Sequence, residues 1–150
     1  DNSQNVFQKR YGDCKGMANL TKQMLKLAGF DARLCWIGTN HIAYDYSTPS
    51  LSVDNHMICA LIKDGKKYFL DGTEKYNSFG EYANRIQGKE VLIEDGDKFI
   101  LDKIPLQNAK SNTEKSIIKY VIENETLKGK VKIEYDGESR ASFLYNYLYN

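Results

Sequence analysis

The sequence lacks three features that would have pointed to particular classes of protein. No apolar run approaches the ~18 residues that a membrane-spanning helix needs. Lysine and arginine number 21 against 20 acidic residues, so the net charge of +1 offers no basic stripe for nucleic acid. The three cysteines cannot all pair and form no CxxC motif, which argues against a disulfide framework and a zinc ribbon. We therefore expect no membrane span, no nucleic-acid partner and no structural metal.

The composition that remains is typical of a globular protein, with 41% hydrophobic and 27% charged residues. Its 150 residues can form one domain, or one domain and part of a neighbour. A domain of this length buries about two-thirds of its unfolded surface, so it needs no disulfide or metal to be stable. The sequence contains no internal repeat or low-complexity tract.

The clearest predicted element is a helix over residues 14–28. Asp13 precedes it as an N-cap, because its short carboxylate can accept a hydrogen bond from the free amides of the first turn. Gly29 follows it as a natural stop. Apolar residues recur in it at spacings of three and four, which predicts a stripe that packs on the core. The stripe consists of Met17, Leu20, Met24 and Leu27.

Alternating and apolar runs after the helix predict strands separated by turns and polar loops. They are a strand in "FDARLCWIGT", hairpins in "NHMICALIKDGKKYFLDGT" and "EVLIEDGDKFILD", and two further strands in "SIIKYVIE" and "LKGKVKIEYDG". The secondary structure of the aromatic tail "ASFLYNYLYN" is ambiguous. We expect an α+β core over residues 1–105, a linker over 106–114 and a partial β-rich segment over 115–150 that can begin a second domain.

The dipeptide Asp64-Gly65 defines the register of the first hairpin, because it tolerates the positive φ angles of a type I′ turn. With that turn at the tip, Ile58 faces Asp71, and His56 lies on the same face two residues before Ile58. His56 and Asp71 are then diagonal neighbours, with Cα atoms roughly 7–8 Å apart. The carboxylate can hold one imidazole nitrogen. A slip of one residue would put the two side chains on opposite faces.

We expect the helix to dock on the face of the hairpin that carries His56, which would bring Cys14 to the imidazole. The apolar residues of that face are Ile58, Ala60, Ile62 and Phe69. A helix N-terminus carries about half a positive charge and stabilises a thiolate. Cys14, His56 and Asp71 are thus a candidate nucleophile, base and orienting carboxylate.

Stabilisation of an oxyanion would also be needed at such a site. The backbone N–H of Cys14, which is free in the first helical turn, can donate to a developing oxyanion. A second donor would have to come from nearby, and the candidates are Gln8 and Tyr11.

Each candidate has a structural explanation when it is taken alone, since free cysteine is often buried and a strand histidine is often a hydrogen-bonded core residue. Their joint arrangement favours catalysis. His41 is a rival base in a polar loop, and a metal site of Cys14, His41 and His56 has no recognisable ligand spacing. We expect Cys35 and Cys59, which lie in apolar strands, to be inert core thiols.

Three segments resemble the Cys, His and Asp motifs of the transglutaminase-like superfamily, particularly its bacterial members with a "GDCKD"-type nucleophile motif. They are "RYGDCKGMANLTKQMLKLAGFDARL", "NHMICAL" and "YFLDGT", in the expected order. The resemblance covers roughly residues 5 to 105, and the strands after residue 114 resemble the start of the β-domain that often follows this core. It implies a papain-like core in which the nucleophile helix packs on an antiparallel sheet.

The resemblance also implies roles for individual residues. Cys14 would be the nucleophile, His56 the base and acid, and Asp71 the orienting group. Gly16 departs from the pattern, since bacterial members commonly carry Asp there. Gln8 lies six residues before Cys14, the offset of the oxyanion glutamine in papain-like enzymes.

The activity implied is that of a cysteine-dependent hydrolase, a protease or amidase that cleaves peptide or side-chain amides through a thioester and needs no cofactor. The alternatives are an amine acyltransferase of the transglutaminase type and a non-catalytic peptide-binding or scaffold module. The expected partner is a peptide or protein substrate. The abrupt start and the partial β-region predict a piece of a longer multidomain chain, and an exported bacterial parent fits the resemblance although the sequence leaves the compartment open.

Overall fold

The computed structural model describes residues 2–149. Asp1, the first residue of the predicted segment 1–105, and Asn150, the last residue of the predicted segment 115–150, lie outside the described residues. Three α-helices lie within this range, α1 (Ser3–Lys9), α2 (Cys14–Leu27) and α3 (Gly137–Tyr149), together with two 3-10 turns, Asn84–Ile86 and Ala109–Ser111. The strands are β1 (Asp31–Ile37), β2 (His56–Lys63), β3 (Lys66–Leu70), β4 (Glu90–Asp95), β5 (Lys98–Lys103), β6 (Glu114–Glu123) and β7 (Thr126–Tyr135).

The chain divides into two units, one of residues 2–75 and 79–107 and the other of residues 76–78 and 108–149. The first unit contains a curled antiparallel sheet in the order β3-β2-β1-β4-β5, with α1 and α2. The second contains the two-stranded β6–β7 sheet and α3, which includes the aromatic tail as far as Tyr149. The expected α+β class is therefore confirmed. None of the described helices is long and apolar enough to cross a membrane.

The β2–β3 hairpin has the predicted register. Asp64 and Gly65 adopt φ angles of 52° and 72°, the positive values that a type I′ turn requires. Lys63 faces Lys66, and the ladder runs as far as the pair of Cys59 and Leu70. One further step places Asp71 beside the same end of β2 as His56, the first residue of that strand.

The start of α2 also follows the prediction. Asp13 is its N-cap, and its Oδ1 accepts from the backbone N–H of Gly16 at 2.8 Å. The preceding turn is tight: a Cβ on Gly12 would lie 3.0 Å from Cγ1 of Val6, which is the buried anchor of α1. Glycine at position 12 therefore lets the turn close over α1.

The C-terminal half of the predicted stripe of α2 does not face the core, and Met17 and Leu20 in its first half are only partly buried. Met24 is 55% exposed and Leu27 is 89% exposed, whereas the buried side chains of the helix are Ala18 and Lys22. Lys22 reaches Oε2 of Glu94 on β4 at 2.6 Å, and its side chain is only 11% exposed. The small Ala18 allows close approach to the sheet, and the ion pair sets the rotation of the helix.

The expectation that α2 docks on the hairpin face that carries His56 was also wrong. Side chains alternate along a strand, so Glu94, which binds α2, lies on the opposite face from the buried Ile93. A Cβ on Gly72 would likewise point to that face, and it would meet Met17 of α2 at 3.2 Å. The helix thus covers the face of β2 that carries Met57 and every second residue after it.

Other segments fill the face on which His56 lies. Its core cluster combines residues of the sheet with residues from the 82–86 segment and with Ile104, which directly follows β5. The members are Cys35, Ile37, Ile58, Ala60, Phe69, Tyr82, Ala83, Ile86, Val91, Ile93 and Ile104. Both faces of β2 are apolar, so the sequence pattern did not discriminate between them.

Removing Glu94 should destabilise the first unit. In Glu94→Ala, the buried ammonium of Lys22 and the backbone N–H of Leu34, which also donates to Oε2 at 3.0 Å, would lose their acceptor. We expect a loss of about 2 kcal/mol in the free energy of unfolding, because the carboxylate is partly exposed and the ammonium is not. Urea titration measures this loss in the free energy of unfolding.

The matched control is Lys22→Met, which removes the buried charge together with its need for a partner. It should change the free energy of unfolding by less than about 1 kcal/mol. An equal cost for the two variants, or no cost for Glu94→Ala, would contradict the assignment of this pair as the contact that orients α2.

Candidate active site

His56 and Asp71 form a buried hydrogen-bonded pair at one end of the sheet. Nε2 of His56 lies 2.7 Å from Oδ2 of Asp71, and the two side chains are only 5% and 6% exposed. The hairpin register produces this contact, since the first residue of β2 lies beside the residue that follows β3. A carboxylate at Nε2 places the proton on that nitrogen and leaves Nδ1 with a lone pair.

Nδ1 of His56 is oriented away from the carboxylate. Within residues 2–149 it makes no hydrogen bond to protein. None of the polar side-chain atoms in this part of the chain is both fully buried and unpartnered, so Nδ1 keeps contact with solvent. The imidazole therefore presents a free basic nitrogen at the surface of the site.

Asp71 accepts from four donors. Its Oδ1 receives the backbone N–H of Thr73 at 3.0 Å and the Thr73 hydroxyl at 2.6 Å, while Oδ2 receives His56 and a guanidinium nitrogen of Arg85. Burial by itself would raise the pKa of Asp71, but the hydrogen bonds of His56 and Thr73 hold that pKa below its usual value. The carboxylate is thus ionised and fixed in orientation.

Arg85 is the functional-site residue that sequence reasoning missed. Its Nη2 lies 2.8 Å from Oδ2 of Asp71, 2.9 Å from Oγ1 of Thr73 and 3.3 Å from Nε2 of His56. Its Nε donates to Glu74 at 3.0 Å. Arg85 lies in a short 3-10 turn, Asn84–Ile86, on the core face of the sheet. No local pattern distinguishes it from an ordinary loop arginine.

Cys14 is the first residue of α2, at the same end of the sheet as His56. Lys22 and Leu34 meet at Glu94, which aligns the middle of α2 with the middle of β1. From Lys22, Cys14 is eight residues toward the helix N-terminus, about 12 Å along the axis. From Leu34, Ile37 is three residues along β1, about 10 Å, and Ile37 pairs with His56.

The thiol and the imidazole are at the same level but are not hydrogen-bonded. In the described part of the chain the Cys14 side chain has no hydrogen-bond partner, and it is partly exposed. Because α2 covers the other face of the sheet, Cys14 and His56 could meet only around the strand end. Met17, one turn further, contacts Gly72 next to Asp71, which ties the first turns of α2 to this end.

The two candidate oxyanion donors lie close to α2 in sequence but are not joined to the pair. Gln8 lies on α1 and lines a groove that also includes Met17. Tyr11 is 78% exposed, in the turn between the helices. Neither side chain hydrogen-bonds to another described residue. Their role stays a prediction.

The remaining candidates lie apart from the pair. His41 is exposed in the loop after β1, and no described hydrogen bond joins it to Cys14 or His56. Cys35 and Cys59 are buried in β1 and β2. Burial raises the pKa of the Cys35 thiol far above its usual value and that of Cys59 to about 11. Among residues 2–149, no group of three metal-ligating side chains comes together.

Comparison with protein-family models, with curated proteins and with solved structures finds no match to this chain.

Ionisation of Asp71 should contribute to stability with a defined pH dependence. The folded-state pKa lies below that of an unfolded aspartate, so the contribution is present above about pH 4 and is lost as pH falls through the folded value. We expect the stability difference between wild type and Asp71→Asn to shrink progressively as pH falls from about 5 to below the unfolded-state pKa of about 4. Urea titrations across this range measure it, with Asp97→Asn as an exposed control. A difference that is constant with pH would contradict the assignment.

The three cysteines should differ in reactivity. At neutral pH iodoacetamide should alkylate Cys14 alone, because Cys35 and Cys59 are buried with raised pKa values. In denaturant all three should react. Peptide mass spectrometry locates the label, and modification of either strand cysteine in the folded protein would show that the sheet is more open than described.

Proposed function

We propose that the chain is a cysteine-dependent hydrolase with a transglutaminase-like, papain-like core, which cleaves peptide or side-chain amides through a thioester on Cys14. The single observation that carries the proposal is the buried pair of His56 and Asp71, which leaves Nδ1 free at the end of the sheet where α2 begins. The resemblance of the motifs around these residues supports it further.

In the first step His56 would accept the thiol proton at Nδ1, and the Cys14 sulfur would attack the carbonyl carbon of the amide. The carbonyl electron pair moves to oxygen, giving a tetrahedral oxyanion. Collapse of this intermediate breaks the C–N bond. The amine leaves with the proton from Nδ1, and the acyl group stays on sulfur as a thioester.

In the second step water would replace the amine. His56 takes a proton from water through Nδ1, the hydroxide adds to the thioester carbonyl, and collapse expels the Cys14 sulfur. The sulfur takes its proton back, and a carboxylic acid is released. Asp71 keeps its charge throughout and stabilises the transient imidazolium through Nε2–H.

The first turn of α2 would support the oxyanion. The backbone N–H groups at a helix start have no partner within the helix, and the helix dipole favours negative charge there. Asp13 occupies the N–H of Gly16, which leaves the N–H of Cys14 free of this cap. Gln8 and Tyr11 are the candidate second donors.

Two observations favour the alternative of a non-catalytic binding or scaffold module. Cys14 is not hydrogen-bonded to His56, and Arg85 shares Asp71 with the imidazole. An amine acyltransferase is the other alternative: it would use the same first step and differ only in the acceptor, an amine in place of water. Reactivity of Cys14 separates a module from both enzymes, and product analysis with and without an added amine separates the two enzymes.

The rate at which iodoacetamide alkylates Cys14 at neutral pH tests the proposal. We expect a rate above that of a model thiol, and a drop of about tenfold in His56→Ala, because the imidazole no longer takes the thiol proton. His41→Ala is the matched control and should leave the rate unchanged. A rate no faster than the model thiol, together with amidase activity that survives Cys14→Ala on a panel of peptide amides, would reject the proposal.

A further inference from the structure

We propose that the groove between α1 and α2 binds an extended peptide segment that carries a bulky apolar side chain and a nearby carboxylate. The inference rests on the proposed function, since the groove would then hold the substrate beside Cys14. The cavity measures about 450 Å³, and its lining residues are Val6, Phe7, Gln8, Arg10, Met17 and Leu20.

The walls of the groove are mostly apolar and open. Phe7 on α1 is 65% exposed, and Met17 and Leu20, which line the groove from α2, are partly exposed. Further along α2, Met24 and Leu27 continue the same helical spacing, and the helix turns these two side chains toward solvent. A mostly apolar groove that is open to solvent on a folded unit typically marks a binding site.

The charge of the groove selects the partner. Arg10 is the charged residue of the lining, and it forms no ion pair within residues 2–149. Neither α1 nor α2 contains an acidic residue. A guanidinium without an anion, beside apolar walls, is complementary to a carboxylate next to an apolar side chain. A basic segment would be repelled.

The position of the groove favours a peptide over a small molecule. Met17 lines the groove and also contacts Gly72, beside Asp71. Cys14 lies three residues before Met17 on the same side of α2, about 4.5 Å along the axis. One or two residues of extended peptide, at about 3.3–3.6 Å each, span that distance. A peptide seated on Met17 would thus present a neighbouring amide to the Cys14 sulfur.

Binding can be tested on the full chain with Cys14→Ser, which removes the thiol and prevents turnover. The probe is a fluorescein-labelled octapeptide of alternating Leu and Glu, measured by fluorescence anisotropy. The comparison peptides alternate Leu with Lys and Ser with Glu. We expect the Leu–Glu peptide to bind about tenfold more tightly than either. Equal affinity for the three peptides, or no binding of the Leu–Glu peptide, would overturn the proposal.

Variants of the groove locate the site. Arg10→Glu should weaken binding of the Leu–Glu peptide about tenfold and reverse the preference towards the Leu–Lys peptide. Phe7→Ser should weaken it several-fold, and both residues are exposed, so the fold should be retained. Lys98→Glu makes the same kind of charge change on β5 and should have no effect. An equal effect of Lys98→Glu and Arg10→Glu would show non-specific attraction and reject the site.

The outcomes separate this inference from the proposed function. Groove binding with an unreactive Cys14 would keep the peptide site and reject the hydrolase. A reactive Cys14 without binding of the Leu–Glu peptide would keep the nucleophile and reject the groove as the peptide site.

Discussion

The register of the β2–β3 hairpin is the constraint on which the candidate site depends. Side chains alternate along a strand, so a shift of one residue would move His56 and Asp71 to opposite faces and exchange the two apolar sides of β2. The turn at Asp64 and Gly65 prevents such a shift, because both residues adopt the positive φ angles of a two-residue loop. A local backbone preference at one end of the hairpin thereby positions a polar pair at the other.

That polar pair is stable because its hydrogen bonds are complete. A carboxylate as buried as Asp71 would be unfavourable without partners, and it has four donors, from His56, Arg85 and twice from Thr73. Arg85 supplies a compensating positive charge and is itself held by Glu74. The network leaves Asp71 little freedom to turn, so the imidazole keeps Nε2 on the carboxylate and Nδ1 toward solvent.

Local signals in the sequence predicted those parts of the structure that depend on neighbouring residues. The Asp13 cap, the start of α2 and the β2–β3 register follow from hydrogen bonding and turn geometry within a few residues. The contact between His56 and Asp71 was therefore predictable, because it follows from the register of the β2–β3 hairpin.

Contacts between distant segments were not predictable in the same way. Both faces of β2 are apolar, so periodicity did not reveal which one receives α2. Lys22 has the sequence context of a surface lysine, but Glu94, 72 residues later, makes it a buried partner of the sheet. Arg85 reaches Asp71 only because the 82–86 segment packs on the core face, and its polar surroundings in the sequence carry no signal of that packing.

The central claim is that His56 activates Cys14 for acyl transfer, and intact-mass analysis during reaction with p-nitrophenyl acetate tests it most directly. We expect one acetyl group on Cys14, formed as nitrophenolate leaves and then lost to water, with both steps slowed in His56→Gln. If Cys14 gains no acetyl group, or gains and loses it equally fast in His56→Gln, the account is contradicted.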